Sequence, residues 1–318
     1  MIAVEDVLRA RETIAGRLHR TPTFTSATLA QLTGSPVHLK AELFQRTGSF
    51  KPRGVLNKLA SLTGEEKARG VIGISAGNHA QALAYGAAAE DVDALVVMWR
   101  GASEQKIAAT RAYGAQVDLE AGDPGEAFAR LDRLLADTGR TLVHPFDDPL
   151  IQAGQGTVGL ELMEDVPDAT VVAVPIGGGG LISGVATAVK GLRPDARVIG
   201  VEPETSNAMR AALDAGERVE LTPVSIADGL NAPHAGRNAL SVVQQRVDDV
   251  VLVSEEEIED AFRFLYTRAK LACEPAGAAS MAALLAGKVP LSNGESVVVV
   301  VSGGNVAAET ASAILARR

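Results

Sequence analysis

Along the chain, short apolar runs alternate with alanine-rich stretches whose apolar residues recur at helical spacing. The runs VIGIS at 71–75, ALVVMW at 94–99, TVVAVPI at 170–176, RVIGVE at 197–202 and SVVVVVS at 296–302 are continuous rather than alternating, which predicts strands covered on both faces in a parallel sheet. Between them, 80–89, 103–114, 124–139 and 181–192 are each bounded by Gly, Pro or Asp and predict crossover helices. Ser254 with Glu257 three residues on predicts a capping box opening an amphipathic helix over 254–270. This alternation predicts an α/β fold of two lobes, with mostly parallel sheets flanked by helices. The βα units of 70–146 predict a small lobe inserted into a larger one made of 1–69 and 147–318, with a ligand held between them.

Composition narrows the class. A chain of 318 residues, 47% hydrophobic and 22% charged, can bury a sizeable core without staples. No run approaches the roughly 20 apolar residues that cross a bilayer, and residues 1–20 lack the apolar centre of an export signal. No membrane partner and a cytoplasmic location are therefore expected. Cys273 is the only cysteine, which excludes internal disulfides and multi-cysteine metal sites and makes it a core residue. The net charge of −9 argues against a nucleic-acid partner and favours a small-molecule substrate. With 32 glycines and only 3% aromatic residues, sites built from backbone are the ones to look for.

Four motifs carry candidate chemistry. In Thr47-Gly48-Ser49-Phe50-Lys51-Pro52-Arg53-Gly54, Pro52 suits the first position of a helix running to Ala60, and the proline pushes Lys51 out of the α region. Lys51 then stands at a helix N-terminus, where the dipole disfavours an ammonium and leaves an amine able to form imines. By itself, a lysine beside a proline is more often a surface residue. Ser75-Ala76-Gly77-Asn78-His79 follows a strand and opens a helix, so its amides and side chains can bind a carboxylate or merely cap the helix. His79 reads as a structural hydrogen-bond partner. Gly177-Gly178-Gly179-Gly180-Leu181 joins strand to helix at a large cost in conformational entropy, which points to a backbone passing close to a phosphate. The same loop, with Glu202 ending the next strand, also suggests a dinucleotide site. The strict spacing fails, however, because Ser183 stands where the third glycine belongs, and that reading gives Lys51 no role. Finally, Ser302-Gly303-Gly304-Asn305 follows the valine strand and places a hydroxyl at the carboxyl edge of a parallel sheet, where it can face a ring nitrogen.

In this order, and with His144-Pro145-Phe146, Ala153-Gly154-Gln155-Gly156-Thr157, Ala227-Asp228-Gly229 and Glu274-Pro275-Ala276-Gly277 between them, these motifs resemble the threonine and serine dehydratases and serine racemases. These are fold-type II pyridoxal phosphate enzymes (tryptophan synthase β-like), and the resemblance spans essentially the whole chain. It implies pyridoxal 5'-phosphate bound as a Schiff base on Lys51. Phe50 would pack on the ring, Asn78 would contact the ring hydroxyl and Ser302 the pyridine nitrogen. Gly177, Gly178, Gly179, Gly180 and Leu181 would hold the phosphate. Ser75, Ala76, Gly77, Asn78 and His79 would grip the substrate carboxylate. The implied reaction converts L-threonine and/or L-serine to 2-oxobutanoate or pyruvate plus ammonia. Serine or aspartate racemisation and dehydration of threo-3-hydroxyaspartate are the alternatives, and an NAD(P)-dependent oxidoreductase is a remote one.

The sequence departs from its relatives at two positions. Serine racemases carry a serine where Ala76 stands, and alanine cannot transfer a proton, so the resemblance leans towards a lyase. Metal-dependent relatives pair a glutamate with an aspartate six residues later. Here Glu202 is followed by Ala208, which predicts no tight divalent site of that type and leaves any other metal unknown. Thirteen residues follow Asn305, so the chain resembles the short, catabolic kind without a regulatory domain. A homodimer is expected by resemblance.

Overall fold

Five consecutive valines, 297–301, fix the centre of the larger sheet. Val297, Val299 and Val301 enter one buried cluster, and Val298 and Val300 enter the cluster on the opposite face. Such a strand has to be covered by helices on both sides. The chain is described here by a computed structural model covering residues 1–292 and 294–317. Its strands are β1 (Thr23–Thr25), β2 (Val37–Ala41), β3 (Val71–Ile74), β4 (Ala94–Trp99), β5 (Gln116–Ala121), β6 (Thr141–Leu142), β7 (Val171–Pro175), β8 (Arg197–Pro203), β9 (Asp249–Val253) and β10 (Val297–Val301). The larger sheet has the order β1-β2-β10-β7-β8-β9 and is parallel except for β1. The smaller, β5-β4-β3-β6, is parallel throughout and draws all its strands from 71–142. Among the described residues no helix is long and apolar enough to cross a membrane.

The apolar runs and the crossover helices form as the pattern predicts, and the Ser254–Glu257 capping box closes at the head of the helix Glu255–Phe264. Cys273 lies fully in the core. Strands with mixed composition escaped the pattern. In β2, Lys40 has 0% exposure, and its amine donates to the Thr21 carbonyl at 2.8 Å and pairs with Glu161 at 2.8 Å. Remote partners therefore make a polar residue buriable.

Lys40 belongs to a buried ionic network centred on Arg53, which is 1% exposed. The Arg53 guanidinium donates to both oxygens of the fully buried Glu42 at 2.8 and 2.9 Å, and to both oxygens of Glu161 at 2.7 and 2.9 Å. It ties the helix Pro52–Ala60 to the end of β2 and to the helix Pro149–Asp165. Arg53→Ala is expected to lower the unfolding free energy of the apoprotein by about 3–5 kcal/mol, because Glu42 would stay buried and unpaired. Denaturant titration measures this, and a loss below about 1 kcal/mol would contradict it.

Candidate active site

Register brings three loops together. β10 lies between β2 and β7, so the segments that leave their carboxyl ends are neighbours: Glu42–Lys51, Ser302–Asn305 and Gly177–Leu181. Ligands bind at such an edge in open parallel sheets. From the smaller sheet, β3 contributes Ser75–His79 to the opposite wall. Between them is a cleft of about 940 Å³, and Phe50, Lys51, Ser75–His79, Gly177–Leu181 and Ser302 all line it.

Lys51 caps the helix Pro52–Ala60 but is itself in the α region, at φ −52° and ψ −38°, against the expectation drawn from Pro52. Tertiary contacts override the local preference. The Lys51 carbonyl accepts from Val55 N at 3.3 Å and from Gln155 Nε2 at 3.4 Å, and the adjoining turn is closed by Arg53 N on the Phe50 carbonyl. The Lys51 amine donates to the Pro145 carbonyl at 2.8 Å and stands 5.1 Å from the centre of the Phe50 ring. Burial lowers its pKa from 10.5 to about 8, outweighing the opposing pull of the Glu274 carboxylate.

The glycine loop is crowded by the protein itself. A side chain at Gly178 would collide with the Phe146 ring, and one at Gly180 would stand 2.9 Å from Phe146 Cα. Gly179 has φ +97°, a conformation that glycine favours. Phe146 and the backbone twist therefore account for much of the glycine content. What points to a ligand is the donors: the backbone N–H groups from Gly177 through Ile182 have no acceptor among the described residues. Such a set of orphan donors at the start of the helix Gly180–Leu192 fits a phosphate group.

Across the cleft, Ser75 Oγ accepts from Gly77 N at 3.0 Å, so this serine shapes its own loop. The His79 ring is buried and bonded to the Val143 carbonyl at 2.8 Å. Burial, with Lys51 nearby, lowers its pKa to about 3, so the ring is neutral and structural. Asn78 donates to Glu274 Oε1 at 2.6 Å and accepts from Asn305 Nδ2 at 2.8 Å. Ser302 is buried and lines the cleft.

Glu274 carries a role that its place in the linking motif Glu274-Pro275-Ala276-Gly277 does not reveal. It is 2% exposed, and burial together with Asp228 pushes its carboxyl up to about 7. It occupies the cap position of the helix Pro275–Leu285 without making a cap hydrogen bond. A glutamate just before a helix-opening proline is a poor cap, and that was the available signal. Lys106, on the helix Glu104–Ala112, and Asp228, on the turn Asp228–Leu230, form an ion pair at the cleft wall. Their separation of 122 residues hides this pairing from the sequence.

Glu202 does not face the cleft. Its carboxylate, wholly buried, accepts from Met209 N and Arg210 N at 2.8 Å each, capping the helix Ala208–Ala215. The dinucleotide reading thereby loses its ribose ligand.

Residues 14–303 match the family described as pyridoxal-phosphate dependent enzymes. The L-threonine ammonia-lyase of Thermotoga maritima is 47% identical over 308 residues, covering 96% of this chain and 76% of that protein. Among solved structures, a threonine deaminase of T.th. aligns with a TM-score of 0.90 at 41% identity, covering 96% of this chain and 99% of that one. Maize serine racemase aligns with a TM-score of 0.93 at 35% identity, covering 97% and 95%.

The lowered pKa of Lys51 has a kinetic signature. The neutral amine is the reactive form, so imine formation between the apoprotein and pyridoxal phosphate should accelerate with pH up to about 8 and level off above it. Stopped-flow absorbance across this range measures it. A rate that kept climbing about tenfold per pH unit to pH 10 would mean an unperturbed lysine.

Proposed function

The chain belongs to the pyridoxal-phosphate dependent enzyme family, and from that membership we propose that it dehydrates and deaminates L-threonine and/or L-serine. The observation that carries this reading is the buried Lys51 amine in the same cleft as the acceptor-free amides of Gly177–Ile182. The amides of Gly177–Gly180 and Leu181 would hold the cofactor phosphate. Phe50 would flank its ring, Asn78 would face the ring oxygen, and Ser302 would donate to or accept from the ring nitrogen. When bound, the cofactor withdraws electrons from the substrate Cα and so acidifies its hydrogen.

Lys51, as a neutral amine, is the base that removes this hydrogen. The electron pair left at Cα expels the β-hydroxyl, which leaves as water with the proton that Lys51 took up. The unsaturated product then takes up one water and releases ammonia, leaving 2-oxobutanoate from threonine or pyruvate from serine. The loop Ser75–His79 would bind the substrate carboxylate through the backbone N–H groups of Ala76, Asn78 and His79, since Ser75 already holds Gly77 N and the His79 ring holds Val143. Residues 70–146 would act as the small lobe that carries this loop, and a homodimer is the proposed assembly.

The racemase reading has a specific observation in its favour, the likeness to maize serine racemase, and one against it, Ala76 in place of a proton-transferring serine. Holoenzyme incubated with L-serine should yield pyruvate and ammonia in excess of D-serine, as read by chiral chromatography and 2-oxo acid detection. Predominant D-serine would overturn the assignment. Lys51→Ala should lose at least about a hundredfold in 2-oxo acid formation. It should also lose the visible absorption that a lysine-bound cofactor gives.

A further inference from the structure

The Thr47 carbonyl is an acceptor in every state, and it anchors the assignment of a chain of side-chain amides. The Asn305 atom 2.7 Å from it is therefore the nitrogen, Nδ2. Its second hydrogen goes to Asn78 Oδ1 at 2.8 Å. Asn78 Oδ1 is thus turned towards Asn305, and Asn78 Nδ2 faces Glu274 Oε1 at 2.6 Å. Glu274 takes one of the two hydrogens on that nitrogen. The other has no acceptor among the described residues, and Asn78 lines the cleft.

Asn305 is itself firmly seated. A Cβ on Gly48, at φ +75°, would stand 2.5 Å from Asn305 Oδ1, and Gly304 N donates to the Gly48 carbonyl at 2.9 Å. Thr47 has φ +61°, a left-handed conformation that a β-branched residue rarely adopts. The Asn305 bond to its carbonyl helps hold this turn, three residues before Phe50.

We propose that Asn305 is a positioning residue that fixes the Asn78 amide so that the cleft receives an N–H donor and never the amide oxygen. The consequence, which rests on the cofactor reading above, is selection of charge. A cofactor ring oxygen facing Asn78 is bound as an acceptor, in its ionised form. Asn305 touches neither cofactor nor substrate in this scheme, and its effect on the ring oxygen runs through Asn78.

The test uses wild type, Asn305→Asp and Asn305→Ala, each prepared as apoprotein and reconstituted with pyridoxal phosphate. The readouts are the thermal midpoint of the apoprotein, the cofactor Kd and the position of the cofactor absorption band, which reports ionisation of the ring oxygen. Asn305→Asp cannot donate to Asn78, so Asn78 should flip and present its oxygen to the cleft. The expected result is a folded apoprotein, a Kd raised about tenfold, and a band shifted to shorter wavelength. Asn305→Ala should show a smaller shift in the same direction. If both variants keep the wild-type band, whatever their Kd or midpoint, Asn305 is only a structural tie and the proposal is overturned. It is equally overturned if neither variant gives folded apoprotein, because Asn305 is then a folding determinant. A wild type that forms no cofactor band would instead sink the cofactor reading, and this inference with it.

Discussion

The Lys51 amine rests on the Pro145 carbonyl, and the cleft depends on keeping those two atoms together. The amine comes from the larger sheet's side, on a helix fixed by the Arg53 network. The carbonyl comes from the connector 144–148, in which each remaining residue holds something. His144 Nδ1 accepts from Asp147 N at 2.8 Å, and Phe146 lies against Gly178 and Gly180. Asp147 caps the helix Arg237–Arg246 through Arg237 N and Asn238 N at 2.9 Å each. Asp148 caps the helix Pro149–Asp165. A change in this connector reaches the amine, the glycine loop and two helix starts at once, so these features should vary together rather than independently.

The polar groups of the cleft divide by how their charge is set. Backbone amides from Gly177 to Ile182, together with Asn78, are fixed donors that need no proton exchange to meet an anion, and their orientation is set before a ligand arrives. Arg53, Glu42 and Glu161 lie behind the cleft and are fully paired. Their strong bonds hold the helix on which Lys51 stands without adding an unpaired charge to the site. Lys51 is the exception: burial disfavours its ammonium, and Glu274, the nearby carboxylate that favours it, is itself pushed towards the neutral form. The two effects reinforce one another, since each group reduces its charge where the other would have to compensate it.

Legibility in the sequence followed the range of the interactions. The β7 and β10 runs are apolar on both faces, so their burial is written locally. β2 was missed because Lys40 is buried by Glu161 and Asp165, which a window around residue 40 does not contain. The glycine loop was found, but the reason for its glycines is partly Phe146, a residue noted only as a linking piece. The backbone of Lys51 went against the proline rule because Gln155, 104 residues away, binds its carbonyl. Glu274 and Asn305 sat within noted motifs with no role given them, because each acts by orienting Asn78, and orientation is not a property of residue type or spacing. Glu202 looked like a ligand-binding acid and proved to be a helix cap whose carboxyl is pushed up to about 8 by burial.

The same contacts bear on which reaction the cleft can carry. His79 and His144 have pKa values lowered by burial to about 3 and about 4, and both rings are bound to backbone atoms, so neither exchanges a proton near neutral pH. Glu274 titrates near 7, but its oxygen is bonded to Asn78, where its work is orientation. Ala76 has no proton to give. Under the proposed function, proton transfer at the substrate Cα falls to Lys51, whose amine shares the cleft with the acceptor-free amides. A single base that both removes and returns the proton on one face returns the starting enantiomer, so net chemistry has to come from departure of the β-hydroxyl. Elimination is the outcome that this distribution of protons favours.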